Sequence, residues 1–231
     1  NAFNDLTVLG KATFSDNAST TNFTLGDDAN LNASGTILTV LGDWTNNSGF
    51  FTASTSAVVF GGVSAQSVTG TTTFNDVTVS NTSGTNATTT PSITFVDAMT
   101  MGDFLADTPG VMVQFADNAT TTMANLNITG SEADYIYMYS DVDGTDWRLD
   151  VTGTSTIEYA QVKHSDAGDN TSGTIFASSS LDATNNTNWT FTAPAGPGPS
   201  TVTWDGGGAD NDWETALNWS GDAVPTDTVD V

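Results

Sequence analysis

A short alternation of apolar and polar residues, recurring between polar turns, constrains the fold of this chain more than any other feature. FNDLTV at residues 3–8 returns almost unchanged as FNDVTV at 74–79, and a looser version, MANLNI, occupies 123–128. Alternation over a few residues is typical of a β-strand with one buried face. The repeated segment therefore predicts strands, and its reuse predicts an architecture built by repetition.

The spacing of these alternations favours a parallel β-helix, or β-solenoid. They recur about every 15 to 20 residues through the first two-thirds of the chain, wider than the roughly 8 to 12 residues expected in a sandwich of hairpins. We predict an all-β fold in which each coil lays a strand on the coil below, so that inward residues stack into one core. The repeats share no single period. A jelly-roll or Ig-like β-sandwich with long loops is the alternative.

The composition supports strands and excludes several functions. Thr, Ser, Asn, Asp, Gly and Val dominate, whereas the Glu, Lys, Arg and Gln of exposed helix faces are scarce. With 27 acidic and 3 basic residues the formal net charge is −24, which argues against nucleic-acid binding and against an anionic membrane surface. The chain has no cysteine, so it has no disulfide framework. No apolar run is long enough to predict a membrane span.

The composition changes near residue 192. Residues 1–192 form the predicted β-solenoid domain, and residues 193–200, with three of the six prolines, are a predicted Pro/Gly linker. Residues 201–231 are rich in Trp and Asp and too short for a core of their own. We expect this C-terminal segment to dock on another surface or to begin a further module. The chain starts with Asn rather than Met, and we expect it to be a mature or excised piece of a secreted protein.

Several motifs resemble repeats of large bacterial extracellular surface proteins of the autotransporter and filamentous-adhesin type. The motifs are FNDLTV at 3–8, GTTTFNDVTV at 70–79, DWRLDVTGTSTIEYAQVKHSDAG at 146–168, NNTNWTF at 185–191 and the Trp-rich tail at 204–227. The resemblance implies an exported parallel β-helix with a structural or adhesive role, in which this chain is one unit of a longer array. It supplies no catalytic residues.

Candidate catalytic groups are few. Chance pairs among the many aspartates allow glycosidase chemistry in principle, and Arg148, Lys163 and His164 are the only set suited to cleaving an anionic polysaccharide. Lys163 and His164 are adjacent, so on a strand they would point to opposite faces. We therefore predict a non-enzymatic protein without a cofactor, and a polysaccharide-degrading enzyme is the least favoured alternative.

Acidic turns offer candidate sites for a structural calcium ion. Asp141, Asp143 and Asp146 surround Gly144, and Ca²⁺ prefers oxygen ligands of this kind. The spacing does not match that of an EF-hand, and a plain Asx-rich turn is the alternative. A second acidic cluster has the same two interpretations and contains Asp205, Asp210 and Asp212.

Asparagine sequons of the form N-x-S/T are candidate glycosylation sites. Twelve are present, whereas the composition predicts about five by chance. A turn that leads into a β-branched strand would produce the same pattern. Asn127 is set apart because it lies within a predicted strand. The other eleven are Asn17, Asn22, Asn32, Asn46, Asn81, Asn86, Asn118, Asn170, Asn185, Asn188 and Asn218.

The C-terminal segment holds the candidate assembly residues. Exposed Trp rings can anchor a protein interface or stack on sugars, and residues 222–231 could add a strand to a neighbouring molecule. The candidates are Trp204, Trp213, Trp219, Val224, Val229 and Val231.

The leading functional prediction is an extracellular or cell-surface structural subunit that joins other copies end to end in a fibre or repeat array. Apolar alternation begins within the first eight residues, and no amphipathic helix precedes it to cover the first coil. Uncapped solenoid edges pair with other chains. The alternative is a carbohydrate-binding or adhesive module that uses the C-terminal tryptophans. The expected partners are therefore further copies of the chain and, in the alternative, glycans.

Overall fold

The chain forms two compact units. The structure is a computed structural model, and it describes residues 1–84, 90–194, 203–219 and 224. The units are Asn1–Pro194 and Ala195–Val231. Most of the linker predicted at 193–200 lies outside the described residues, as do Asn86, Val229 and Val231.

The described part of the first unit consists of strands joined by turns. The first eleven are β1 (Ala2–Val8), β2 (Lys11–Thr13), β3 (Ala18–Leu25), β4 (Asn30–Asn32), β5 (Ile37–Val40), β6 (Trp44–Asn46), β7 (Phe50–Thr52), β8 (Ala57–Phe60), β9 (Gln66–Thr69), β10 (Thr72–Thr73) and β11 (Asp76–Val79). The next eleven are β12 (Ile93–Phe95), β13 (Met99–Ala106), β14 (Met112–Phe115), β15 (Thr120–Thr129), β16 (Ile136–Ser140), β17 (Trp147–Glu158), β18 (Ala160–Lys163), β19 (Ser165–Asp166), β20 (Ile175–Ala177), β21 (Leu181–Thr184) and β22 (Trp189–Phe191). One short 3₁₀ helix, Ala216–Asn218, lies in the second unit.

The strands wind into a β-solenoid of about eight coils, where a coil is one complete circuit of the chain. Every registered strand pair runs parallel, so the predicted parallel β-helix is confirmed and the sandwich alternative is wrong. Face A contains β5, β8, β11, β20 and β22; face B contains β6, β9, β12, β14, β16, β18 and β21; face C contains β2, β4, β7, β10 and β19. The long strands β1, β3, β13, β15 and β17 bend round a corner and belong to two faces.

Inward side chains form columns that run the length of the solenoid. One column of face A runs from Phe3 through Val40, Phe60 and Ile128 to Phe191, and we call it the Phe3–Phe191 column. Its interior members are fully buried. Because successive coils are in register, each side chain rests on its equivalents above and below, as in other stacked repeats.

A chain of aromatic rings follows the core. Successive ring centroids lie 4.2 to 6.2 Å apart. Aromatic pairs at such distances add about 0.5–1.5 kcal/mol beyond the burial of their area. The members of this aromatic chain are Phe23, Trp44, Phe74, Phe60, Phe95, Phe115 and Trp147.

The coils differ in length, which explains why the repeats share no single period. Leu6 and Phe23 are register partners 17 residues apart, whereas Leu126 and Ser155 are 29 residues apart. The faces keep their register, so the corners absorb the additional residues. Most coils contribute a strand segment to each of the three faces, whereas the apolar alternations predicted about one strand per coil.

The repeated hexapeptide specifies a corner of the solenoid. In FNDVTV the phenylalanine is buried at the end of face C, the chain bends at Asn75, and Val77 and Val79 point into the core from face A. The first copy, FNDLTV, forms the corner between faces A and B instead. The motif therefore encodes a bend rather than a fixed position in the coil, and its copies need not be separated by whole coils.

Small residues line one such corner because adjacent coils approach closely there. A Cβ atom added to Gly153 would lie 2.6 Å from the carbonyl oxygen of Ala124, and one added to Gly102 would collide with the carbonyl oxygen of Asn75. Glycine is the residue that permits this approach of one backbone to another.

Candidate functional site

The first coil leaves one edge of the solenoid without a strand partner in the described chain. β1 is registered only against β3, so backbone N–H and C=O groups line its other edge. Phe3 is 43% exposed and Leu9 is 79% exposed, and Leu6 and Phe14 are only partly buried. This end of the solenoid therefore presents apolar side chains beside unpaired backbone groups.

The last coil presents apolar residues at the equivalent inward positions. The rings of Trp189 and Phe191 stack with centroids 5.6 Å apart and 10° between their planes, and both side chains are partly buried. They lie on β22, whose registered partner is β20. Phe191 is the last described member of the Phe3–Phe191 column, so within the described residues the column has a phenylalanine at each end.

The second unit is organised around Trp219. Its side chain is 2% exposed and donates the indole N–H to the carbonyl oxygen of Trp213 at 2.9 Å. The rings of Trp204 and Trp213 pack edge-on against it, with centroids 5.1 and 4.4 Å away, but are themselves 39% and 52% exposed. Trp219 therefore has a structural role, whereas Trp204 and Trp213 offer exposed rings. Val224 is partly buried.

The acidic residues of the second unit form turns. The carboxylates of Asp205, Asp210 and Asp212 each accept a hydrogen bond from the backbone N–H two residues ahead. The hydroxyl of Thr215 and the N–H of Asp212 lower the pKa of Asp210. These contacts are those of an Asx-rich turn.

The structure does not bring together the three carboxylates predicted to bind calcium. Asp143 pairs with Lys163 at 2.5 Å, Asp146 lies 3.3 Å from Nδ1 of His164, and Asp141 accepts a backbone hydrogen bond at 2.7 Å. Within the described ranges, no group of three or more His, Cys, Asp or Glu side chains is placed to hold a metal ion. The expected convergence of these carboxylates is not seen, because Asp143 and Asp146 lie near opposite ring nitrogens of His164, whereas Asp141 accepts the backbone N–H of Asp117.

Lys163 and His164 do not point to opposite faces as expected. β18 ends at Lys163, and His164 has φ = +54°, so its buried ring turns back to within 3.4 Å of the Asp143 carboxylate. The Lys163 ammonium is the main cause that lowers the pKa of Asp143. The guanidinium of Arg148 donates instead to the carbonyl oxygen of Asn118. Arg148, Lys163 and His164 are thus engaged in structural contacts, and Arg148 does not join the other two in one group.

A shallow groove of about 300 Å³ on face A contains a pair of carboxylates. Asp76 and Asp103 are register neighbours on β11 and β13, and Asp103 accepts a hydrogen bond from the Asn125 amide. Burial, followed by repulsion from Asp103, raises the pKa of Asp76. A raised pKa means that ionised Asp76 opposes folding, and this cost is relieved as the pH falls through its folded pKa. The pair therefore strains the groove electrostatically, and we assign it no reaction.

Four of the sequon asparagines are buried. The Nδ2 group of Asn81 donates to the carbonyl oxygen of Ser64 and to Oε1 of Gln66, both at 2.8 Å. A glycan on that nitrogen would displace both partners and would not fit the fully buried site. The same argument removes all four from the candidate glycosylation sites, namely Asn46, Asn81, Asn170 and Asn218.

The other described sequons lie nearer the surface. Asn32 and Asn188 are partly buried, as is Asn127 on β15. The amide of Asn188 also donates to the carbonyl oxygen of Ala167 at 2.8 Å. The exposed candidates are Asn17, Asn22, Asn118 and Asn185.

All four tyrosines of the chain lie near one another, on β16, at the corner that leads into it and at the equivalent corner of the next coil. Tyr137 and Tyr139 project outward from β16 with ring centroids 6.0 Å apart, and Tyr135 and Tyr159 meet edge-on at 6.2 Å. We call these four residues the tyrosine patch. The hydroxyl of Tyr139 accepts a hydrogen bond from the Gln161 amide at 2.7 Å.

Sequence reasoning missed the tyrosine patch. The signal was present, because the tyrosines are confined to residues 135–159 and three of them alternate in YIYMY. That alternation was consistent with an ordinary strand, and it did not show that Tyr159 of the next coil would join them.

Comparisons with known proteins identify no relative: no family model, no curated protein and no solved structure matches the chain. In the part of the chain that the structure describes, no helix has the length and apolar character needed to cross a bilayer. The resemblance to bacterial surface-protein repeats stays a prediction.

Proposed function

We propose that the chain is a non-enzymatic, extracellular structural subunit that associates end to end with further copies in a fibre or repeat array. The observation that carries this proposal is the Phe3–Phe191 column, which within the described residues has a phenylalanine at each end. A second copy stacked in the register of the interior coils would place its Phe3 on Phe191 of the first.

Such a junction would use the interactions that hold the interior coils together. The free edge of β1 would gain parallel backbone hydrogen bonds. Burial of Phe3 and Leu9, both exposed in the single chain, would contribute roughly 1.5–3 kcal/mol for each fully buried side chain. The net charge of −24 opposes association of two copies in any orientation, so the apolar and backbone contacts of the junction must outweigh this repulsion.

Cysteine cross-linking tests the junction directly, because the natural chain contains no cysteine. Phe3→Cys and Phe191→Cys are purified as separate variants, mixed under oxidising conditions and separated without reductant. We expect a mixed disulfide-linked dimer, because register neighbours on parallel strands lie within disulfide distance.

The control for this test pairs Phe3→Cys with Phe176→Cys. Phe176 points outward from β20 and is 51% exposed, so a disulfide formed by random collision would appear with both partners. Equal yields from the two mixtures, or a native chain that stays monomeric in analytical ultracentrifugation at every concentration, would refute end-to-end association.

Glycan binding by the second unit is the alternative function, and the exposed rings of Trp204 and Trp213 favour it. Exposed aromatic rings of this kind can stack on sugars. In this case Trp204→Ala with Trp213→Ala should abolish binding to a glycan array while the Phe3–Phe191 cross-link still forms. Trp219→Ala is not a suitable test, because Trp219 is the buried centre of the unit. An array on which the native chain binds no glycan would eliminate this alternative.

A further inference from the structure

The tyrosine patch occupies a corner whose backbone is unfavourable for an aromatic residue. Tyr159 has φ = +52°, a conformation that a bulky residue rarely adopts. Its backbone is fixed on both sides, because its N–H donates to Ser178 at 3.2 Å and its carbonyl oxygen accepts from Ile136 at 3.0 Å. Tyr159 and His164 are the two aromatic residues with positive φ in the described chain. The corner therefore holds the Tyr159 ring against Tyr135 at a conformational cost that glycine or asparagine would avoid.

Three carboxylates lie next to this aromatic pair in sequence, and none of them forms an ion pair within the described residues. Glu132 and Asp134 lie in the loop before Tyr135, and Glu158 directly precedes Tyr159. In the described chain Lys163 pairs with Asp143, and His164 contacts Asp143 and Asp146, so none of the three carboxylates near the patch in sequence has a basic partner there. Two of the three glutamates of the chain are in this group.

The electrostatic environment of the rings is accordingly negative. Burial, and then the Glu132 carboxylate, raise the pKa of Tyr135, and burial followed by Asp134 raises the pKa of Tyr137. Burial raises the pKa of Tyr139 to about 12. All three hydroxyls therefore stay neutral at physiological pH, and their rings keep the electron-rich faces that attract cations.

We propose that the tyrosine patch binds lysine or arginine side chains from a basic segment of a partner protein. Uncompensated carboxylates beside electron-rich rings complement a cation both by charge and by the cation–π interaction. A second copy of this chain is a poor source of cations, since it has only three Lys and Arg residues and its Lys163 is already paired with Asp143. The partner is therefore a different polypeptide.

The test uses acetyl-Lys-Arg-Lys-amide as the probe and the ring signals of isotope-labelled tyrosine as the readout. Four tyrosines give four assignable sets of NMR signals. We expect the signals of Tyr135 and Tyr159 to shift saturably with the probe and not with acetyl-Glu-Gln-Glu-amide. The double variant Tyr135→Leu with Tyr159→Leu should weaken binding of the probe about 10-fold through loss of the cation–π contacts. In this variant the Tyr137 signals report the binding. The double variant Tyr135→Phe with Tyr159→Phe keeps the rings and should retain most of the affinity for the probe.

A charge-matched pair of variants separates the patch from the overall negative charge. Glu132→Gln with Asp134→Asn removes two carboxylates beside the patch, and Asp27→Asn with Asp28→Asn removes two from an exposed turn elsewhere. The first variant should weaken binding several-fold more than the second, with thermal unfolding confirming that both are folded. Equal weakening would show non-specific attraction and overturn the proposal, as would ring shifts caused by a neutral hexasaccharide but not by the peptide.

Discussion

At the scale of single residues, glycines mark the places where adjacent coils come closest. Gly70 has φ = +86°, and a Cβ atom there would collide with the carbonyl oxygen of Asn46 in the coil before it. Its N–H donates to the Asp97 carboxylate at 2.7 Å in the coil after it. The residue therefore meets two requirements at once, a left-handed backbone and an absent side chain.

We expect Gly70→Ala to lower the free energy of unfolding by more than about 2 kcal/mol, because the φ penalty and the collision with Asn46 add together. Gly173→Ala is the matched control. Gly173 has φ = +91°, but no atom lies within 4 Å of an added Cβ, so only the φ penalty of about 1 kcal/mol should apply. Urea unfolding followed by circular dichroism measures both. Equal losses would show that the close approach to Asn46 has no energetic weight.

At the scale of strands, the aromatic chain connects one coil to the next. Phe115 on β14 is fully buried and stacks on Phe95 at 5.5 Å and on Trp147 at 4.2 Å. These three rings come from successive coils of the solenoid. A ring in the middle of this series stabilises the coils on both sides of it, so its removal should affect more than its own strand.

We expect Phe115→Ala to lower the free energy of unfolding by about 3–5 kcal/mol, the usual cost of truncating a buried phenylalanine. Phe176→Ala provides the comparison, since Phe176 is 51% exposed on β20 and its loss should change stability by less than about 0.5 kcal/mol. Denaturant unfolding monitored by Trp fluorescence distinguishes the two. A small effect of Phe115→Ala would mean that the coils are stabilised mainly by their backbone hydrogen bonds.

The sequence predicted the strands whose core positions alternate cleanly, such as β5, β8 and β11. It missed short strands of face B, because β6 and β9 place Asn46 and Gln66 at buried positions. Their amides are buried because they cap loops: Gln66 donates to the carbonyl oxygen of Val40, and Asn46 accepts the N–H of Gly49. Polar residues with such internal partners interrupt the apolar pattern from which a strand is predicted.

The candidate site was predicted less well than the fold. The grouping of Asp141, Asp143 and Asp146 suggested a metal site, yet whether carboxylates converge depends on turn geometry that spacing does not determine. The tyrosine patch depends on a contact between two coils, Tyr135 with Tyr159. The register of coils that differ in length cannot be derived from a local pattern.

At the scale of the whole molecule, charge opposes the packing of the core. The chain has 27 acidic and 3 basic residues, and within the described residues only Asp143 and Asp146 contact a Lys or His side chain. Most carboxylates therefore face water or one another, as Asp76 and Asp103 do in register. Self-repulsion of this kind destabilises a compact state and is screened by salt.

We expect the melting temperature to rise as NaCl is increased from about 0.01 M to 0.3 M, because the screening length falls well below the size of the molecule. Relief of about 1 kcal/mol would raise the melting temperature by about 2–4 °C. CaCl₂ and MgCl₂ at equal ionic strength should give equal shifts, since the Asp141, Asp143 and Asp146 carboxylates do not converge. A larger shift with calcium would contradict that arrangement.

The corner at Gly102 has a consequence for how such a chain can change its length over evolution. Gly102 and Ala124 occupy equivalent positions in successive coils, between the register pairs Met101–Met123 and Asp103–Asn125. Loss of residues 102–123 would join Met101 to Ala124 at the same bend, and duplication of that segment would insert one more circuit. A gene for this fold can therefore gain or lose whole circuits by unequal recombination, leaving the first and last described coils chemically unchanged.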